Sequence, residues 1–255
     1  MSKSSVALDN LRAFVILIVL AFHSVLAYLQ FLPDSPYRFD TPPYKWQSFA
    51  IIDSARFIGF DLFCAYQDVY LMSLMFFLSG LFVWPSLVRK GSWNFLIDRF
   101  VRLGLPFALA LMVLMPVTLY PTYRVTATDP TIAQYWRQFM ALPLWPSGPQ
   151  WFLWQLLTLN ILGALLYRFG PQAIQAIGAL ALALSRHPVK FFLVLAGASA
   201  VAYVPLALAF TPWEWLQVGP FGFQRARPLH YAVYFFTGVA IGTAGLERGL
   251  LSSDG

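Results

Sequence analysis

The stretch Leu11–Leu32, LRAFVILIVLAFHSVLAYLQFL, decides the fold class. It runs for 22 residues and carries only two basic side chains, Arg12 and His23. A hydrocarbon core of ~30 Å is crossed by ~20 residues of helix at ~1.5 Å rise each, so the run is long enough to span. Arg12 and His23 are eleven residues apart. At ~100° per residue the offset is ~20°, which puts both side chains on nearly one helix face. The axial separation is roughly 16 Å, with the arginine near one membrane surface and the imidazole near mid-depth. An ionisable group at that depth is costly to bury and points to function. The run is too long for a signal-peptide core and ends in Gln30-Phe31-Leu32-Pro33 without a small-residue cleavage site, so it reads as a retained span.

The rest of the chain agrees. Of 255 residues, 59% are apolar and only 11% charged, and the mean hydropathy is +0.64. A soluble domain carries about 25% charged residues. No single soluble core needs such an apolar surplus, so the chain is read as a polytopic membrane protein. The one cysteine, Cys64, excludes an internal disulfide framework and a cysteine-built metal site, and no metal is expected. The formal charge of +6 forms no basic binding face. Cationic loops are what the positive-inside rule requires, so nucleic acid is not an expected partner and membrane lipids are.

Six segments look long enough to cross: 13–32, 66–87, 103–120, 151–168, 191–210 and 229–246. Pro106 and Pro116 are expected to kink the third. The loop after the second carries Arg89, Lys90, Arg99 and Arg102 against Asp98 alone, which marks it as cytoplasmic. The N-terminus is then cytoplasmic too, and segments 33–65 and 121–150 lie outside. Segment 171–185 is short for a span. Kept as an interfacial or re-entrant helix on the cytoplasmic side, it preserves the charge rule and leaves Glu247 and Arg248 in the cytoplasm. The expected fold is all-α: a polytopic transmembrane helix bundle of about six spans plus one cytoplasmic interfacial or re-entrant helix, in a single membrane-embedded domain over 1–255.

His23 is the first candidate for chemistry. An imidazole with an ordinary pKa of ~6.5 suits proton exchange with a hydroxyl, against the alternative of a histidine bonded to a neighbouring helix. Arg12 either joins it or snorkels to headgroups. Arg99 and Arg102, three residues apart at the start of the third span, point to one face. There they either clamp phosphate oxygens or anchor the helix under the positive-inside rule. Gly148-Pro-Gln-Trp-Phe-Leu-Trp154 fits an interfacial tryptophan belt, and Phe76-Phe-Leu-Ser-Gly80 is a small-residue step for close helix approach. Asp61, Asp68 and Glu214 read as boundary residues or as groups that orient a polar acceptor. His187 and His230 sit at membrane edges and receive no role. Nucleotide-binding loops, a dinucleotide fingerprint, HExxH and GxSxG are all missing from the sequence.

Taken in order, four motifs resemble the acyltransferase 3 family, integral-membrane enzymes that acylate envelope carbohydrates. They are Leu8-Asp-Asn-Leu-Arg12 with ten residues before His23, Phe76-Phe-Leu-Ser-Gly80, Arg99-Phe-Val-Arg102-Leu-Gly-Leu-Pro106, and Pro149-Gln-Trp-Phe-Leu153. The resemblance implies an acyl-CoA donor substrate entering from the cytoplasm, no permanently bound cofactor, and an acceptor hydroxyl at or beyond the outer face. It implies His23 as the catalytic histidine with Arg12 as its motif partner, and Arg99 and Arg102 on the donor side. The Trp-Phe-Leu motif is similar to that of the branch that succinylates periplasmic glucans, which suggests a glucan or related sugar acceptor and a bacterial-type inner membrane. Family members have more spans than the six counted here, so the resemblance also implies a domain incomplete at Leu250–Gly255. Two rival readings stand beside it, a non-enzymatic membrane carrier and an inactive relic. A carrier should show repeated halves with matching broken helices, and the sequence shows no such symmetry.

Overall fold

A computed structural model describes residues 3–185 and 187–245. Arg186, Glu247, Arg248 and the end of the sixth expected span at Leu246 lie outside the described residues, as does Leu250–Gly255. The described residues are all-α apart from one hairpin. In order come α1 (Lys3–Val25), α2 (Ile58–Gly80), α3 (Val83–Arg99), α4 (Leu105–Leu109), α5 (Met115–Thr126), α6 (Ile132–Ala141), α7 (Trp151–Phe169), α8 (Pro171–Ser185) and α9 (Pro188–Phe210). Antiparallel strands β1 (Trp215–Val218) and β2 (Phe221–Gln224) precede α10 (Pro228–Ala244).

Five helical stretches are long and apolar enough to cross a membrane: Val6–Tyr28, Ile58–Gly80, Val83–Thr126, Gly148–Phe169 and Pro188–Phe210. The sixth expected span is α10, an apolar helix of 17 residues. The protein is therefore a multi-pass membrane protein. Its second span begins at Ile58, earlier than hydropathy suggested, and Asp61 at the start of α2 accepts the backbone N–H groups of Gln30 and Phe31 at 2.8 and 3.3 Å. That contact ties the end of the first span to the start of the second.

The third span continues from α3 through wide π turns at Phe100–Gly104 and Ala110–Leu114. Each of these turns is followed within two residues by a proline, Pro106 or Pro116. The helix is thus irregular where the two prolines fall, because an extra residue per turn makes room where a proline ring lacks an N–H and crowds the preceding carbonyl. A further break lies at Gly91, whose φ of 71° and ψ of 165° only glycine adopts freely.

Contacts set the helix directions. Along α2 and α10, Asp68 meets Arg227, Phe76 stacks on Tyr231, and a Cβ on Gly80 would meet the Phe235 carbonyl, so the two helices run parallel. The sequence Gly238-Val-Ala-Ile-Gly242 lets their backbones approach, since a Cβ at either glycine would strike the backbone of Phe77 or Leu81. α1 runs antiparallel to α2, with the Arg12 guanidinium over Phe82. α8 packs Gly178 against Ala240 and Thr243 near the C-terminal end of α10. α1 and α9 are each only 6% buried over their most apolar windows, so their faces meet lipid. At the opposite end from α8, Phe39 and Trp46 pack with Met115, Leu119, Tyr123, Tyr135 and Phe139 into an aromatic cap.

Candidate functional site

A cavity of about 270 Å³ opens among α1, the α2–α3 junction, the second half of α3 and α7. Arg12, Arg99 and Arg102 line it together, joined by Arg89 and Lys90. Among the described residues, Asp98 is the single carboxylate on the wall. The break at Gly91 makes this arrangement, because it lets the second half of α3 carry Asp98 back to Lys90, whose Nζ lies 2.8 Å from the carboxylate. Arg102 Nε reaches the other Asp98 oxygen at 3.1 Å. Asp98 thus holds two of five cations and leaves a strongly positive cavity. Arg12 stacks over Phe82 at 3.9 Å, and Arg99 over Phe95 at 4.9 Å, so both guanidiniums are oriented without being neutralised by those rings. Arg12 also has a carboxylate neighbour, Asp9, at 3.7 Å.

Further in, the wall turns neutral. Ser79, Leu156 and Asn160 line it. Asn160 donates through Nδ2 to the Leu156 carbonyl at 2.7 Å, while its Oδ1 and the Nε of Arg99 are buried without partners among the described residues. Such an arrangement has the charge to hold an anion, with unmet hydrogen-bonding capacity beside it.

His23 is not on this cavity. It lies roughly 16 Å further along α1, by helix rise, and is exposed, its ring set edge-on to Phe22 at 5.5 Å. The structure therefore brings three of the four sequence candidates together and leaves the histidine apart. Asp61 and Glu214, the acidic candidates for orienting an acceptor, are engaged within the protein, Glu214 with Arg225 at 2.5 Å. Among the described residues, no three His, Cys, Asp or Glu side chains converge as metal ligands.

The structure departs from the sequence reading most at His230, which had been placed at a membrane edge. Its Nε2 lies 2.9 Å from Ser73 Oγ and its Nδ1 2.8 Å from Ser199 Oγ, so it bridges α2, α9 and α10. Tyr203, Tyr231 and Tyr234 surround the ring. Asp68, read as a boundary residue, instead pairs with Arg227 inside the bundle. Nothing in the local sequence signals these pairings. The Gly238–Gly242 spacing was the one available hint that α10 packs closely rather than facing lipid.

The chain matches the model of the acyltransferase domain family, acyltransferase 3, over residues 5–252. No curated protein and no solved structure matches it.

Proposed function

The chain belongs to the acyltransferase 3 family, and on that premise we propose that it moves an acyl group from cytoplasmic acyl-CoA to a hydroxyl of an envelope carbohydrate, of the glucan type. The observation that supports this most is the gathering of Arg12, Arg99 and Arg102 on one cavity. Guanidiniums held by ring stacking at a membrane surface suit the phosphates of CoA. In this reading the basic end of the bundle faces the cytoplasm, the N-terminus lies there too, and the protein sits in a bacterial-type inner membrane.

To reach His23 the acyl arm parts the α1–α2 seam, where the packed side chains Val15, Ile18, Val19, Met75 and Leu78 are all apolar. His23 serves as general base. It takes the proton of the acceptor hydroxyl as that oxygen attacks the thioester carbonyl. The carbon–sulfur bond breaks, and the thiolate leaves with the proton as free CoA. The open position of His23 favours a second reading, a member that binds the donor without transferring its acyl group.

The deciding experiment measures O-acyl groups on envelope carbohydrates by mass spectrometry, in cells expressing the parent chain or a membrane-inserted His23→Ala variant. Acylation by the parent alone is the expected result, and the added mass identifies the acyl group. Equal acylation in both removes His23 from the chemistry. Absence of acylation from the parent, with acyl-CoA still bound, leaves the non-transferring reading in place.

A further inference from the structure

The donor cavity has a gradient. Its mouth is cationic and open, with the Arg102 side chain 66% exposed, whereas Asn160 at the inner wall is 2% exposed. Its volume of about 270 Å³ is below the ~300–1,000 Å³ of pockets that enclose a whole drug-sized ligand. It therefore admits part of a donor, with the anionic portion left at the mouth. Asn160 stands on the wall that this inner portion would touch, and its Oδ1, covered in the empty cavity, is a buried acceptor without a partner among the described residues. An unmet buried acceptor carries a free-energy penalty, which a ligand N–H relieves on arrival.

We infer that Asn160 reads the carrier arm of the donor: its carbonyl oxygen accepts an amide N–H of a phosphopantetheine-type arm while the arginines hold the phosphates. This rests on the acyl-CoA reading and narrows it. A donor with phosphate but no N–H along its arm, such as an acyl phosphate or a phospholipid, leaves Asn160 unpaired. Arg99, on the same wall and with its Nε likewise unpartnered among the described residues, serves the phosphate side.

The test uses the full chain in nanodiscs and two probes, CoA and adenosine 3′,5′-bisphosphate, which keeps nucleotide phosphates but has no pantetheine arm. In Asn160→Leu, CoA affinity should fall about tenfold while adenosine 3′,5′-bisphosphate binds within twofold of the parent. Unchanged affinity for both probes overturns the inference and leaves the acyl-CoA reading standing. If the variant loses both probes together, the parent is tested with a CoA analogue whose pantetheine amides are replaced by esters. Weaker binding than CoA then supports the inference, and equal binding overturns it. A parent that binds neither CoA nor the bisphosphate overturns the acyl-CoA reading and the inference with it.

Discussion

Asp68 and Arg227, separated by 159 residues in sequence, meet through two hydrogen bonds of 2.8 and 2.5 Å inside the helix bundle. The Arg227 side chain is 9% exposed and that of Asp68 29%, so the guanidinium is buried and the carboxylate partly so. Removing one partner leaves an uncompensated buried charge, at a typical cost of about 3–5 kcal/mol. Asp68→Leu and Arg227→Met should each destabilise the protein on that scale in detergent unfolding. The double variant should lose clearly less than the sum of the two, because it removes both charges.

Gly80 and Gly197 give opposite expectations for one chemical change. A Cβ at Gly80 would strike the backbone carbonyl of Phe235, whereas a Cβ at Gly197 meets nothing within 4 Å. Gly80→Ala should therefore cost about 1–3 kcal/mol through overpacking of α2 on α10. Gly197→Ala should leave the thermal midpoint unchanged or raise it, since alanine is favoured over glycine within a helix by roughly 0.5–1 kcal/mol.

His230 is expected to act as a polar clamp on α9, where Ser199 is the only buried residue. His230→Phe keeps a ring among Tyr203, Tyr231 and Tyr234 but strands two serine hydroxyls. The expected loss is about 1–3 kcal/mol. Ser199→Ala should destabilise the parent and cost little in the His230→Phe background, and a double-mutant cycle measures that coupling.

Tyr135 should make the aromatic cap sensitive to alkali. Its hydroxyl donates to the Pro116 carbonyl at 2.5 Å, and burial pushes its pKa up. The folded state thus favours the neutral phenol. The contribution is complete below the ordinary phenol value of ~10 and is lost as pH climbs from there toward the raised folded value. Denaturation between pH 8 and 11 should show a decline in the parent that is shallower in Tyr135→Phe. That variant should also be about 1 kcal/mol less stable near pH 8.

Much of the candidate site was legible one residue at a time. Arg12, Arg99 and Arg102 each stand where an apolar run meets a cluster of positive charge, so hydropathy alone puts them at one membrane surface. Their convergence with Asn160 was not legible, because the Gly91 break and the packing of α7 against α3 decide which side chains share a cavity. His230 was misplaced for a similar reason. Its position near the start of an apolar run suggested an interface, but its partners Ser73 and Ser199 belong to two other helices.

By itself the sequence determined that this is a helical multi-pass membrane protein, which segments are apolar, and which end of the bundle is basic. Those properties follow from short-range patterns: the length of an apolar run against the thickness of a bilayer, and the charges that border it. Only the tertiary structure decided that α10 packs backbone to backbone on α2, that Asp68 holds Arg227, that His230 meets Ser73 and Ser199, and that Asn160 shares a cavity with the arginines. Apolar helices in lipid gain little from burying one apolar face rather than another. Their partners and register are therefore set by glycine steps that admit a neighbouring backbone and by polar groups that find each other across the bundle, often more than a hundred residues apart.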